Sequence, residues 1–330
     1  MLARLLRSRR RAAGADASAA RLARPVVSIG NISMGGRGKT PLAGLVARLL
    51  VEAGERPAIL SRGYGRAVAR DGVTVVSDGS TLPDGTVDLT RLADLSVSGD
   101  EPLMLATSVP GAAVLVCEQR ALAGALAETS LGCTVHVLDD GFQHHVLRRE
   151  IDIVLIAPED LQARLMPFGR LREPVDALNH AHAIIVDGGD PVVLDTVREQ
   201  FGEGRFVGGM VRTLGEPSSP LAPGSRVFAV AGIVAPERFF KVMAAGWTIA
   251  GTMPFKDHHP YSAADARAIA VAAAGCGAAA IVATSKDMVK LRALEPWPVP
   301  LVEVPLAVRV EPTDAFRRWL LASLASSTSA

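Results

Sequence analysis

The chain has 330 residues, of which 49% are hydrophobic and 21% charged, and its formal net charge is +1. Such a composition gives ample core for two globular domains and excludes a disordered or nucleic-acid-coating chain. With only 4% aromatic residues there are few platforms on which bases could stack, so no nucleic-acid partner is expected.

The three cysteines, Cys117, Cys133 and Cys276, are widely spaced and form no Cys-x-x-Cys pair. Neither a disulfide framework nor a zinc site follows, and a reducing compartment fits. No apolar run approaches the ~18 residues that span a bilayer, and no secretory signal is expected. The first dozen residues, MLARLLRSRRRA, set Leu2, Leu5 and Leu6 among five arginines. That pattern suits either a segment lying on anionic lipid or a solvated arm.

Strand Val26 to Ile29 leads into SIGNISMGGRGKTPL, and a helix follows with apolar Leu42, Leu45, Val46, Leu49 and Leu50. Pro41 suits its first turn, and Gly54 and Pro57 stop it. Strand, glycine loop, Gly-Lys-Thr and helix make a P-loop, whose amides and helix dipole hold phosphates. Ser33 stands where the consensus has glycine, so Gly35 and Gly36 supply the flexibility, and Ser33, Gly35, Gly36 and Gly38 are expected in the phosphate cradle. Lys39 is placed to reach the β and γ oxygens, and the Thr40 hydroxyl to take Mg²⁺.

After PAILSRG, the polar segment between Arg70 and Thr90 reads as a hairpin excursion. GDEP sets Asp100 and Glu101 on a glycine-preceded turn that opens a helix, where the residues alone favour a capping role. Strand Thr134 to Leu138 ends in Asp139 and Asp140, the acidic magnesium partners a P-loop requires at a neighbouring strand end. His144 and His145 follow as supporting groups or plain loop residues.

RLMPFGRLREP mixes Arg164, Arg170 and Arg172 with Leu165, Met166, Phe168 and Leu171, as an acylated phosphosugar site or an exposed loop would. In DHHPYS, His258 and His259 precede a helix start with capping-box spacing at Ser262 and Asp265. No third ligand at useful spacing argues for zinc there. ATSKDMVK places Thr284, Lys286 and Asp287 after a strand, like a base-reading element that would contact adenine, or a salt-bridged turn.

Continuous apolar strands alternating with helical patterns predict an α/β fold: a P-loop parallel sheet with helices on both faces, plus a second, smaller α/β domain. The expected divisions are a basic arm at 1–24, a P-loop domain at 25–185, a connector at 186–225, a second domain at 226–320 and a disordered tail at 321–330.

Taken in order, SIGNISMGGRGKTP, ILSRGYGR, SGDEPLML, LDDGFQH, RLMPFGRLREP, VAGIVAPERFF, DHHPYS and ATSKDMVKL resemble the tetraacyldisaccharide 4'-kinases, the lipid A 4'-kinase family. The resemblance covers about residues 25 to 295. It implies ATP and Mg²⁺ as cofactors and transfer of the γ-phosphoryl group to the 4'-hydroxyl of a tetraacyldisaccharide 1-phosphate, giving lipid IVA. The implied location is peripheral, on the cytoplasmic face of the inner membrane, with no obligate protein partner. Asp100 is then the acceptor-activating carboxylate, His258 its partner and Lys39 a catalytic cation. Glu101 joins Asp139 and Asp140 at magnesium, and Arg172, Glu173 and His144 lie on the acceptor side. Phe168 and Arg170 depart from the family's commoner Ala-Gly-Pro wording of that loop. Rival readings are another P-loop ATPase or GTPase, which the absence of a second lysine at Met34 and of a Cys/His metal cluster disfavours, and a nucleotide-sensing regulator.

Overall fold

The computed structural model describes residues 19–35, 38–63, 66–68, 71–294 and 296–328. Most of the expected basic arm, and Gly36 of the glycine loop, fall outside them.

The P-loop strand β1 (Val26–Asn31) is buried along its whole length at the middle of the larger sheet. After it come α1 (Lys39–Glu52), β2 (Pro57–Ser61), β3 (Thr74–Asp78), α2 (Leu95–Ser98), α3 (Asp100–Ser108), β4 (Ala113–Val116), α4 (Arg120–Leu131), β5 (Val135–Asp139), β6 (Ile151–Ile156), β7 (Ala183–Asp187), α5 (Pro191–Phe201) and β8 (Phe206–Leu214). A second lobe holds β9 (Arg226–Ala231), α6 (Pro236–Met243), β10 (Thr248–Pro254), α7 (Ala263–Gly275), β11 (Ala280–Ala283), α8 (Ser285–Leu291) and β12 (Leu301–Glu303). The chain then returns to the first lobe with β13 (Leu306–Glu311) and α9 (Thr313–Thr328).

Among the described residues, the larger sheet runs β13-β8-β7-β6-β1-β5-β2-β4-β3 and the smaller one β10-β9-β11-β12. The larger is parallel except at its two edges, where β13 lies antiparallel to β8 and β3 to β4. The α/β expectation holds, and the 70–90 excursion contributes edge strand β3 and a tight bridge between Thr81 and Val87.

β1 shows how the sheet sets up the site. Val27 and Ile29 face a core shared with Leu42, Val46 and Leu50 of α1. On the opposite face the small Ser28 and Gly30 let the turn after β5 press close: a Cβ at Gly30 would sit 2.4 Å from Phe142 Cβ, and one at Gly141 2.7 Å from Ser28 Oγ. The bare face therefore fixes where Asp139 and Asp140 end up.

Two divisions differ from the sequence expectation. The 186–225 stretch is not a linker, because α5 and β8 lie in it and β8 belongs to the larger sheet. The β8 glycines mark close packing: a Cβ at Gly208 would lie 2.7 Å from the carbonyl oxygen of Glu311 on β13, and one at Gly209 2.6 Å from Gly189 Cα. Nor is the second lobe continuous to 320, since β13 and α9 belong with the first sheet. The segment expected to be disordered from 321 is helical through Thr328. Phe316, Leu320 and Leu324, four residues apart, put one face of α9 into the core, and alanine-rich sequence carries the helix on.

Phe316 is 1% exposed, with its ring centroid 5.3 Å from that of Phe206 and 5.9 Å from that of Trp319. Phe316→Ala should cost about 3–5 kcal/mol in urea unfolding of the full chain. A loss below about 1 kcal/mol would mean that α9 is dispensable to the core.

Candidate active site

A cleft of about 1460 Å³ opens between the lobes, lined by Lys39, Thr40, Glu101, Asp139, His258 and Lys286 among others. Its floor is the P-loop. Gly35 and Gly38 have φ of 111° and 92°, a left-handed backbone that glycine adopts without strain. Gly38 also has no room for a side chain, as a Cβ would come within 3.0 Å of Arg212 Nη2 and Met210 Cε. Ser33 departs from its expected phosphate role. It is fully buried, and its Oγ donates to Asp160 Oδ2 at 3.0 Å, bracing the loop after β6.

Beside the P-loop, the Thr40 hydroxyl is 3.1 Å from Asp139 Oδ2 and 3.4 Å from Glu101 Oε2. Lys39 Nζ lies 3.4 Å from Asp140 Oδ1, and Arg172 Nη1 3.6 Å from Asp140 Oδ2. Burial, reinforced by the charges of Glu101 and Asp140, raises the Asp139 carboxyl to about 7. Among the described residues, no group of three or more His, Cys, Asp or Glu side chains is arranged to hold a metal unaided.

The opposite wall joins the two lobes. Asp100 opens α3 after Gly99, which holds the N-cap position without a side-chain cap bond, and the Asp100 Oδ1 accepts from the Glu101 amide at 2.9 Å. It does more besides. His258 Nδ1 lies 2.9 Å from Oδ1 and 3.0 Å from Oδ2, and Lys290 Nζ donates to Oδ2 at 3.2 Å. Lys286, one helical turn before Lys290 on α8, donates to Glu101 Oε1 at 3.2 Å and Asp257 Oδ1 at 2.8 Å, and sits 3.1 Å from His258 Nε2. Burial pushes the Asp100 carboxyl up, but the His258 hydrogen bond and the charges of Lys286 and Lys290 outweigh it and bring the group to about 2. The Asp100 hydrogen bond in turn raises His258.

Around Arg172 and Glu173, expected to lie on the acceptor side, Gln143 Nε2 donates to Glu173 Oε1 at 2.9 Å and to the Asn31 carbonyl at 2.8 Å, and its Oε1 accepts from Arg172 Nη1 at 3.4 Å. Glu173 is 1% exposed and holds this bracket rather than lining the cleft. His144 does line the cleft, and its buried Nε2 has no partner. Burial, then Arg120, Arg149 and Arg62, depress it to about 4, so it is a neutral imidazole at neutral pH.

The adenine contact expected at Asp287 fails on geometry. Asp287 is fully buried, and its oxygens accept from the Gly232 amide at 3.0 Å, Tyr261 at 2.9 Å and Thr284 Oγ1 at 2.7 Å, which ties down α8. Lys286 faces the carboxylates and His258, not a base pocket. Sequence reasoning missed Lys290, Gln143 and Arg212. Lys290 was legible only as the residue one turn after Lys286, and Arg212 lay in the stretch read as connector.

Linkage gives the His258–Asp100 pair a signed pH dependence. His258 is raised above 6.5, so its contribution to stability is complete below that pH and fades as pH climbs through the raised folded value. Asp100 is lowered from 3.8 to about 2, so its contribution is present above 3.8 and is lost as pH falls through about 2. NMR titration should place the His258 midpoint above 6.5 and show Asp100→Asn bringing it down. An unmoved midpoint in that variant would sink the pairing.

The arrangement has known relatives. Residues 1–325 match the family model described as tetraacyldisaccharide-1-P 4'-kinase, LpxK. The tetraacyldisaccharide 4'-kinase of Syntrophus aciditrophicus is 35% identical over 320 residues, covering 90% of this chain and 83% of the relative. That of Koribacter versatilis is 37% identical over 302 residues, covering 89% and 87%. The crystal structure of LpxK from Aquifex aeolicus in complex with ATP superposes with a TM-score of 0.74 at 26% identity, covering 98% of this chain and 96% of that one. On the match of nearly the whole chain to that family model and to these relatives, this chain belongs to the tetraacyldisaccharide 4'-kinase family of phosphotransferases.

Proposed function

We propose that the chain transfers the γ-phosphoryl group of ATP to the 4'-hydroxyl of a tetraacyldisaccharide 1-phosphate, with Asp100 receiving the acceptor's proton. The observation that carries this reading is the position of Asp100. It is an ionised carboxylate held from the second lobe by His258 and Lys290, and its chain neighbour Glu101 lies 3.4 Å from the Thr40 hydroxyl of the P-loop.

The P-loop amides and Lys39 bind and orient the phosphates, which supplies much of what a loose phosphoryl-transfer transition state needs. Asp100 orients the attacking hydroxyl and takes its proton as the bond to phosphorus forms. His258 keeps the carboxylate aimed through Nδ1, and Lys290 fixes the other oxygen. Lys286 stands where a terminal phosphate can draw it from Glu101 and Asp257.

The chain's residues fit a magnesium ion. Thr40, Asp139 and Glu101 bring hard oxygen ligands together beside the P-loop, with Asp140 alongside. So few protein ligands suit Mg²⁺, which keeps waters and takes phosphate oxygens for the rest. When bound, the ion neutralises charge on the transferring phosphoryl group.

On the other side, Arg172, braced by Gln143 and Glu173, and His144 are read as the groups that meet the acceptor. The acceptor carries acyl chains, so the enzyme is read as working peripherally at the inner-membrane surface. Among the described residues no helix is long and apolar enough to cross a membrane.

Purified protein given labelled ATP, Mg²⁺ and detergent-dispersed disaccharide 1-phosphate should place label at the 4' position. Asp100→Ala and Lys39→Ala should each lower kcat by roughly 10²–10⁴-fold. Full turnover by Asp100→Ala would remove the carboxylate from the chemistry and favour a nucleotide-sensing role.

A further inference from the structure

The loop after β6 carries the most exposed large apolar side chain of the described residues, Phe168 at 85%. A lone exposed apolar residue needs no explanation. This one has company: Met34 at 49% and Met166 at 37% belong to the same corner of the fold. The exposed Arg164 and half-buried Arg170 flank it in sequence.

Nor is the turn loose. The Phe168 amide donates to the Leu165 carbonyl at 3.0 Å, the Met166 amide to Leu171 at 2.9 Å and the Leu171 amide to Arg164 at 3.0 Å. The Met34 amide donates to the Arg170 carbonyl at 2.8 Å, pinning the turn to the P-loop segment. Arg170 reaches Asp160 at 3.5 Å, and Asp160 is fully buried, so the acid adds no exposed negative charge to the patch. The backbone therefore holds an aromatic ring out in solvent beside basic groups, next to cleft-lining Met34 and Gly35.

Resting on the membrane-surface reading above, we infer that the 164–170 turn is a bilayer-docking element, with the Phe168 ring entering the headgroup–acyl boundary of an anionic membrane and Arg164 and Arg170 meeting lipid phosphates. An apolar wedge flanked by arginines is complementary to that interface. Its place at the rim of the P-loop brings the cleft to the bilayer, where an acylated acceptor resides.

The test uses full-length Phe168→Trp and vesicles of phosphatidylethanolamine and phosphatidylglycerol without acceptor. Relative to wild type, which contains Trp247, Trp297 and Trp319, the added indole should shift to shorter wavelength on vesicles and be quenched by brominated acyl chains. Phe168→Ser should lower vesicle partition about tenfold. Arg164→Gln should weaken binding to anionic vesicles and leave binding to phosphatidylcholine vesicles unchanged. Both variants should keep the wild-type KM for ATP with detergent-dispersed acceptor. Indole emission that ignores vesicles, or responds only when acceptor is added, overturns the proposal, the latter by making the loop a substrate contact. Failure of label transfer with the quenching intact would instead overturn the kinase reading and leave the docking element standing.

Discussion

The site depends on a buried ionic contact between the lobes. α3 presents Asp100 and Glu101, α8 presents Lys286 and Lys290, and the loop before α7 adds Asp257 and His258. Asp100, Lys286 and Lys290 are each less than a tenth exposed, so each charge has lost most of its water and relies on the others. Such a cluster contributes little net stability, because desolvation offsets attraction, yet removing one member strands the rest. Its value lies in registering one lobe against the other: Asp100 and Glu101 stand on the P-loop lobe, while Asp257, His258, Lys286 and Lys290 stand on the second.

The connectivity suits that division. The chain leaves the larger sheet after β8 and re-enters it at β13, and these two strands pair antiparallel from Leu214↔Leu306 to Gly209↔Glu311. Both crossings between the lobes thus leave from adjacent strand ends. Arg212, on the same ladder, packs against Gly38 of the P-loop.

Much of this was legible in the sequence, for identifiable reasons. The P-loop and the Asp139–Asp140 pair carry their context with them, a strand before and a turn or helix after, so local pattern sufficed. Asp100 and His258 were legible only by resemblance, because 158 residues separate them and each alone reads as a helix cap or a loop histidine. Lys290 was hidden: a lysine one turn from another on a short helix looks like a solvated face until the opposing carboxylates are placed. Asp287 misled in the other direction, since a Lys-Asp pair after a strand fits both a base-reading loop and a buried tie. The β8 region looked like linker because glycine-rich sequence serves close strand packing as well as it serves flexibility. The α9 tail looked disordered because alanine and serine carry little pattern, although Phe316, Leu320 and Leu324 already marked a helical stripe.

The account as a whole requires the two halves of the cleft to meet at one phosphorus atom. A crystal structure of the protein with Mg²⁺ and a non-hydrolysable ATP analogue tests this most directly. The terminal phosphate should lie on the P-loop against Lys39 and Thr40, facing an Asp100 still bonded to His258. A terminal phosphate bound on the far side of the P-loop from Asp100, or a cluster that dissolves when nucleotide binds with the lobes closed, would contradict it.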